Sequence, residues 1–375
     1  MLDRSWKSLI GGIMRILYAS RGFGVHDQRF LMALAASGHE IFFLPLTSAS
    51  HPGMVLPEGV RQIFIPTEKE TTTHTIGSLL ERWKIDLVHA GPVNDVARAI
   101  ALSGFKPLVS MSWGFDLLWD ANRELMVWTA IKEALDHTTV FFCDAHSVET
   151  KAITDYGFDP TRTVVFPWGV DHDLFFPTGA RAGRSANEPL RLFSNRAWED
   201  QYGVDVLVDG LIRAGKTGVV FKAVLAGEGS LRPVLQDKIK NSCIARQVQF
   251  VGRISQTDLP RYYNEADVFI SASHVDGSSL SLMEAMACGT VPLVSNIPSN
   301  KEWVEDGVSG YLFDDGDDVQ LAARLLALDK VRQKLPVLSR NAQAVSEERA
   351  DWTKNQKTML AGYDLAIKLH NERGL

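Results

Sequence analysis

A chain of 375 residues is longer than one ordinary core organises, so length alone favours two domains. With 45% apolar and 22% charged residues it can bury such cores, and a net charge of −6 excludes the basic stripe of a nucleic-acid binder. The charge divides as 15 Lys/Arg against 20 Asp/Glu over residues 1–175 and 24 against 25 over residues 176–375. Neither half has the field to hold it firmly on an anionic membrane.

The three cysteines, Cys143, Cys243 and Cys288, are odd in number, far apart and in no CxxC spacing, which fits thiols in a reducing compartment. The amino-terminal MLDRSWKSLIGGIM has a short apolar stretch broken by Gly11 and Gly12, so it reads as an extension and not a signal peptide. No apolar run approaches the ~18 residues of a membrane span. The expected address is the cytoplasm, with at most peripheral contact at the inner membrane face.

In chain order, residues 14–20 form a short apolar run bounded by turn residues, the pattern of a buried strand. A helix over 30–37 stops at Gly38, and a second strand covers 40–46. Alternation continues with a strand at 62–66, a helix at 76–83, a strand at 86–90, a helix at 94–103 and a strand at 107–111. A helix over 125–137 and strands at 139–143 and 163–167 complete this half. Residues 176–189 have the Pro, Gly and Ser content of a linker.

The pattern then restarts. Strands are expected at 190–194, 219–226, 248–251, 268–272, 291–295 and 310–313, with helices at 204–214, 231–243, 259–265, 279–288 and 319–328. A terminal helix covers 352–371. Strands alternating with helices give parallel sheets covered on both faces. The expected domains are 1–175, 190–348 and a terminal helix over 349–375 returning to the first. Ligands of such sheets bind outside the carboxyl ends of the strands, here in a cleft between the domains.

The richest segment runs from a strand ending near Ser273 through Asp276, Gly277, Ser278 and Ser279 into a helix. Gly and Ser let the backbone approach a ligand, and the first N–H groups of the helix have no intrahelical partner. With the helix dipole they form an anion site suited to a diphosphate. Glu284 lies about 7–8 Å further along the axis at 1.5 Å per residue. Asp276 and Glu284 therefore address different ends of an extended ligand.

This segment resembles the carboxyl-terminal signature of family 4 glycosyltransferases, retaining enzymes of the GT-B fold. Their motif has two glutamates separated by seven residues, the second in a Glu-Ala-Met-Ala run, and here Glu284-Ala285-Met286-Ala287 is followed by Cys288-Gly289. Pro167-Trp168-Gly169-Val170-Asp171 is similar to the family's interdomain Pro-x-Gly-Val-Asp, and Ala226-Gly227-Glu228-Gly229 and 248–252 follow in the expected order. The resemblance covers the second half strongly and the first half loosely. It implies an α/β protein of two doubly wound Rossmann-like domains facing a central cleft.

The resemblance also implies roles. Glu284 would bind the nucleotide's ribose, Asp276 would face the donor sugar, and the amides of Gly277, Ser278, Ser279 and Leu280 would hold sugar and diphosphate. Arg196, after the first strand of the second domain, matches the arginine that neutralises the diphosphate. Arg253 lies in the loop that borders the base. In the first domain the loop carrying Gly22, Gly24, Asp27 and Arg29 borders the acceptor, and Trp113 and Asp116 stand in a His-Gly-x-Asp pattern near the reacting centre. His89 ends an apolar strand on the cleft side and joins this acceptor group. The substrates would be a UDP- or GDP-linked sugar and a glycan, glycolipid or small-molecule acceptor, with no further cofactor.

Three departures stand out: Asp276 where most members have Glu, Gln201 and Tyr202 where a lysine is expected, and Trp113 in place of the histidine. Losing one cation from a diphosphate clamp costs about 1–3 kcal/mol of charge-assisted hydrogen bonding unless Lys301 or Arg253 substitutes. Transfer with retention needs no carboxylate nucleophile when the leaving phosphate takes the acceptor proton on one face. Asp276 and Glu284 accordingly make a poor hydrolase pair.

Other features carry less. Gly22-Phe23-Gly24 lacks a third glycine and an acidic strand end, which argues against dinucleotide binding. The histidines have no metal-ligand spacing, so no metal is expected. Asp314, Asp315, Asp317 and Asp318 lack a calcium loop's other ligands and read as a turn and helix cap. Trp119 and Trp128 have the helical spacing of packing residues. The rivals to a transferase are a nucleotide-sugar binder that has lost activity and a nucleotide-sugar epimerase of the same fold.

Overall fold

The computed structural model describes residues 12–47, 54–65, 73–183, 185 and 188–374. The amino-terminal extension, the end of the strand expected at 62–66 and part of the 176–189 segment lie outside these. The chain divides into two compact units, residues 1–168 with 353–375 and residues 169–352.

The first unit is built on β1 (Arg15–Ser20), β2 (Glu40–Pro45), β3 (Val60–Gln62), β4 (Leu87–Ala90), β5 (Leu108–Met111), β6 (Val140–Cys143) and β7 (Thr163–Val165). All are parallel, in the order β3-β2-β1-β4-β5-β6-β7. β1, β4, β5 and β6 are almost wholly buried, as strands covered on both faces must be. Apolar clusters fill both sides: Leu17, Phe42, Leu80, Val88 and Ile100 in one, Leu117, Ile131, Leu135, Phe141 and Val148 in the other.

The second unit repeats the plan with β8 (Leu190–Ser194), β9 (Phe221–Ala226), β10 (Val248–Gly252), β11 (Val268–Ser271), β12 (Val291–Ser295) and β13 (Tyr311–Phe313). Their order is β10-β9-β8-β11-β12-β13, again all parallel. In each sheet the strand order reverses beside the first strand, between β1 and β4 and between β8 and β11. A parallel sheet opens a crevice at that point, outside the strands' carboxyl ends.

The two doubly wound α/β domains are as expected, and the differences are local. β3 lies at Val60–Gln62, upstream of the expected 62–66, because Arg61 and Gln62 pair with Phe42 and Phe43. The first helix begins at Val25, five residues early, because Asp27 caps it. Two further helices of three turns or more appear among the described residues, His146–Tyr156 and Leu335–Arg349. The former buries only Val148, Ala152 and Tyr156, a stripe too narrow to raise the periodicity signal. Trp128 does pack, stacked on Tyr156 at 5.3 Å, and Asp317 caps the helix Asp318–Lys330 by accepting from the Gln320 amide.

The division between the units falls at 168/169 and 352/353, not at 175 and 349. Val170 forms a parallel bridge with Asp351, and its N–H donates to the Ala350 carbonyl. Gly169 sits between these segments at φ +70, where an added Cβ would lie 2.9 Å from Ala350 and Trp352 backbone atoms. The segment after Phe176 is fastened by Arg181, whose guanidinium donates to the carbonyls of Tyr263, Ala266 and Cys288 at 2.6–3.0 Å. The terminal helix Trp352–Arg373 presses Gly362 on Phe142, leaving no space for a Cβ.

Candidate functional site

At the reversal point of the second sheet, the end of β8 delivers Asn195 and Arg196, and the loop after β11 delivers Asp276–Ser279. That loop runs into the helix Leu280–Ala287, with extended Ser279 as its N-cap. Ser278, Ser279 and Ser281 are buried, and Gly277 with them. The backbone N–H groups of the first helical turn have no intrahelical acceptor and face the crevice that the strand ends form.

Arg196 is held by three polar partners and one ring. Nη1 donates to the Ser279 and Ser281 hydroxyls at 2.8 and 2.9 Å. Nη2 pairs with Asp276 at 2.7 Å, with only 11% and 16% of the two side chains exposed. The Tyr202 ring lies 4.3 Å from the guanidinium carbon. Nε is buried and has no hydrogen-bond partner among the described residues. Burial pushes the Asp276 carboxyl above its ordinary range, and the Arg196 charge draws it back.

Glu284 lies one turn beyond Ser281 and is buried. The Gln256 side-chain amide donates to Oε1 at 2.7 Å and the Tyr263 hydroxyl to Oε2 at 2.9 Å. Asn195 donates in turn to the Tyr263 oxygen at 2.9 Å, while its own Oδ1 is buried without a partner among the described residues. Burial, followed by the Glu284 charge, holds the Tyr263 phenol well above its ordinary range, so it remains a donor. The carboxylate is thus oriented before any ligand arrives.

Sequence reasoning found Arg196, Asp276, the 277–280 loop and Glu284, and the structure gathers these around one helix N-terminus. It missed Asn195, Gln256, Tyr263 and Ser281. Nothing local marks them, because their role exists only where β8, β11 and two helices meet. Arg253 is exposed and makes no hydrogen bond or ion pair with the described residues. Lys301 is exposed on the short helix Pro298–Lys301.

The first unit's candidates divide differently. His89 is a correction: it is fully buried, bonded through Nδ1 to the Tyr363 hydroxyl at 2.7 Å and through Nε2 to Met111 sulfur at 3.3 Å. Rings of Tyr18, Phe30, Phe142 and Tyr363 surround it at 5.1–5.8 Å. Desolvation lowers its pKa to about 3, so it is a neutral core residue tying down the terminal helix.

Asp116 and Asp27 are likewise consumed by the fold. Asp116 is fully buried and accepts from the Ser112 hydroxyl at 2.6 Å and the Val93 and Trp113 amides at 2.8 and 3.2 Å. Burial raises its pKa to about 6 against these hydrogen bonds. Asp27 accepts from the Gly24 amide at 2.7 Å and the Tyr18 hydroxyl at 2.9 Å, with its pKa raised by burial. Arg29 donates to the Trp168 carbonyl at 3.1 Å.

What remains at the carboxyl ends of β1, β5 and β7 is an aromatic cluster. The His26 ring lies 4.7 Å from Trp168 and 6.2 Å from Trp113, and Phe115 lies 6.4 Å from Trp113. Gly22 and Gly24, both half-buried, precede His26 in the chain. No group of three or more His, Cys, Asp or Glu fit to hold a metal occurs among the described residues. No described helix is long and apolar enough to cross a membrane.

Residues 180–359, nearly the whole of the second unit, match the family model of glycosyl transferases group 1. The chain is 33% identical over 151 residues to the amylovoran biosynthesis glycosyltransferase AmsK of Erwinia amylovora, covering 38% of this chain and 37% of that one. It is 30% identical over 236 residues to a D-inositol 3-phosphate glycosyltransferase of Geodermatophilus obscurus, covering 59% and 51%. The matches thus span between a third and about half of these relatives' length. Among solved structures, HepE of Anabaena in complex with UDP and glucose superposes with a TM-score of 0.78 over 93% of this chain and 99% of that one, at 17% identity. The fold is thus of the GT-B type.

Proposed function

We propose that this chain, whose second domain is of the group 1 glycosyltransferase type, transfers a hexose-type sugar from a UDP- or GDP-linked donor with retention of configuration. The acceptor is a glycan, glycolipid or small molecule. One observation carries the reading: a buried arginine with an unpartnered Nε–H stands at the N-terminus of a helix whose buried Glu284 is already oriented by two donors. A diphosphate fits the first feature and a ribose diol the second.

Within this reading Arg196 and the amides of Gly277–Leu280 stabilise the departing diphosphate, donors preorganised for charge that develops during the reaction. Asp276 exchanges its ion pair with Arg196 for contacts to the donor sugar. The UDP bound by HepE supports a uridine donor without selecting the sugar. In the first unit, Gly22, Gly24 and Trp113 border the acceptor.

Gln201 and Tyr202 in place of the lysine that the resemblance implies favour one rival, a nucleotide-sugar binder without transfer activity. Incubation with UDP- and GDP-linked hexoses and a panel of acceptors, read by nucleoside diphosphate release and by NMR of the product anomer, decides. Release with the donor's configuration kept supports the proposal, and inversion refutes retention. Tight binding without release selects the inactive binder, and interconversion of free nucleotide sugars selects an epimerase.

A further inference from the structure

We infer that Tyr202 is a positioning residue, whose ring holds the face of the Arg196 guanidinium so that its free Nε–H stays aimed at a diphosphate. The inference rests on the reading of Arg196 as the diphosphate ligand. Three of the five guanidinium N–H groups are engaged in the plane by Ser279, Ser281 and Asp276. Partners in the plane do not stop a guanidinium from tilting out of it. The Tyr202 ring, 4.3 Å from the guanidinium carbon, supplies that restraint through cation–π attraction and contact.

The ring is itself fixed by the end of β11. Tyr202 closes the turn Asp200–Tyr202, and Gly203 follows at φ +54. An added Cβ at Gly203 would lie 2.0 Å from the Ala272 carbonyl oxygen, so only glycine allows the turn to settle there. The His274 amide donates to the Gln201 carbonyl at 3.0 Å, and His274 is bonded through Nδ1 to Asp315 at 2.6 Å. The backbone that leads into the Asp276 loop therefore also sets the Tyr202 ring.

The arrangement explains how a site can work with Gln201 and Tyr202 where the resemblance implies a lysine. Arg196 and Asp276 are mutually neutralised before a donor binds, so little net positive charge is available. Binding then depends on how well the remaining donors are aimed, and orientation replaces charge.

The test is equilibrium binding of UDP, GDP and the phosphate-free nucleosides uridine and guanosine to the full chain and its Tyr202→Leu and Tyr202→Phe variants. Tyr202→Leu should weaken diphosphate binding by about 2- to 30-fold, the range of a cation–π contact, and leave nucleoside binding unchanged. Tyr202→Phe keeps a ring and should recover most of that loss. Full diphosphate affinity in Tyr202→Leu overturns the inference, as does an equal loss in Tyr202→Phe. Parallel loss of nucleoside and diphosphate binding, with a lowered melting temperature, assigns Tyr202 to packing alone and also overturns it. Arg196→Ala is the control: if it binds UDP and GDP as the unmodified chain does, or if neither binds at all, the reading of the site fails instead.

Discussion

The two units share one plan and treat their strand-end polar residues in opposite ways. In the first, Asp27, His89 and Asp116 are all buried and satisfied by the fold: a helix cap, an anchor for the terminal helix and a loop organiser. In the second, Arg196 is sheltered too, but its buried Nε–H has no acceptor among the described residues, and the buried Asn195 Oδ1 nearby has no donor among them. A buried titratable group marks a binding site only when its hydrogen-bonding valence is incomplete.

The largest expected effect tests the second unit. Arg196→Ala and Glu284→Ala should each weaken nucleoside diphosphate binding by about 10- to 100-fold, as expected for losing a charge-assisted hydrogen bond, and abolish turnover. Calorimetry with UDP and GDP checks the first effect. Undiminished binding in both variants would erase the contrast between the units.

Asp116 tests the other side. Its carboxylate serves three donors, so Asp116→Ala should cost about 2–3 kcal/mol of unfolding free energy in urea and leave nucleotide affinity unchanged. A variant of full stability and no turnover would move Asp116 from scaffold to chemistry.

The pH dependence of His89 gives a smaller effect of known sign. Its pKa is lowered to about 3 in the folded chain against about 6.5 unfolded, so the folded state disfavours the proton. Its contribution is therefore present above pH 6.5 and is lost as pH falls towards 3. Between pH 7 and pH 5 this amounts to about 2 kcal/mol. Urea midpoints at the two pH values should differ by less in His89→Leu than in the parent, and equal differences would show that His89 is not held neutral.

The smallest effect is expected at Asp315. Its bond to His274 is at the surface, so Asp315→Ala should change stability by less than about 1 kcal/mol and hardly affect donor binding. A loss of affinity comparable to Tyr202→Leu would instead extend the site's support to the His274 contact.

Much of this protein was legible without coordinates. Short apolar runs alternating with helical spacing specified two parallel α/β domains, since a strand buried on both faces has to be apolar throughout. The loop of small residues before the helix Leu280–Ala287 pointed to a candidate anion site, because the unsatisfied amides of a helix start are a local property of the backbone. The tertiary structure decided the rest. Whether His89 meets solvent or the Tyr363 hydroxyl depends on a helix 274 residues away in sequence. Tyr263 and Tyr202 likewise acquire roles only when their helix and turn pack against Glu284 and Arg196. Local sequence sets which bonds the backbone can make; the partners of a buried side chain are set by segments far away in the chain, which only folding brings together.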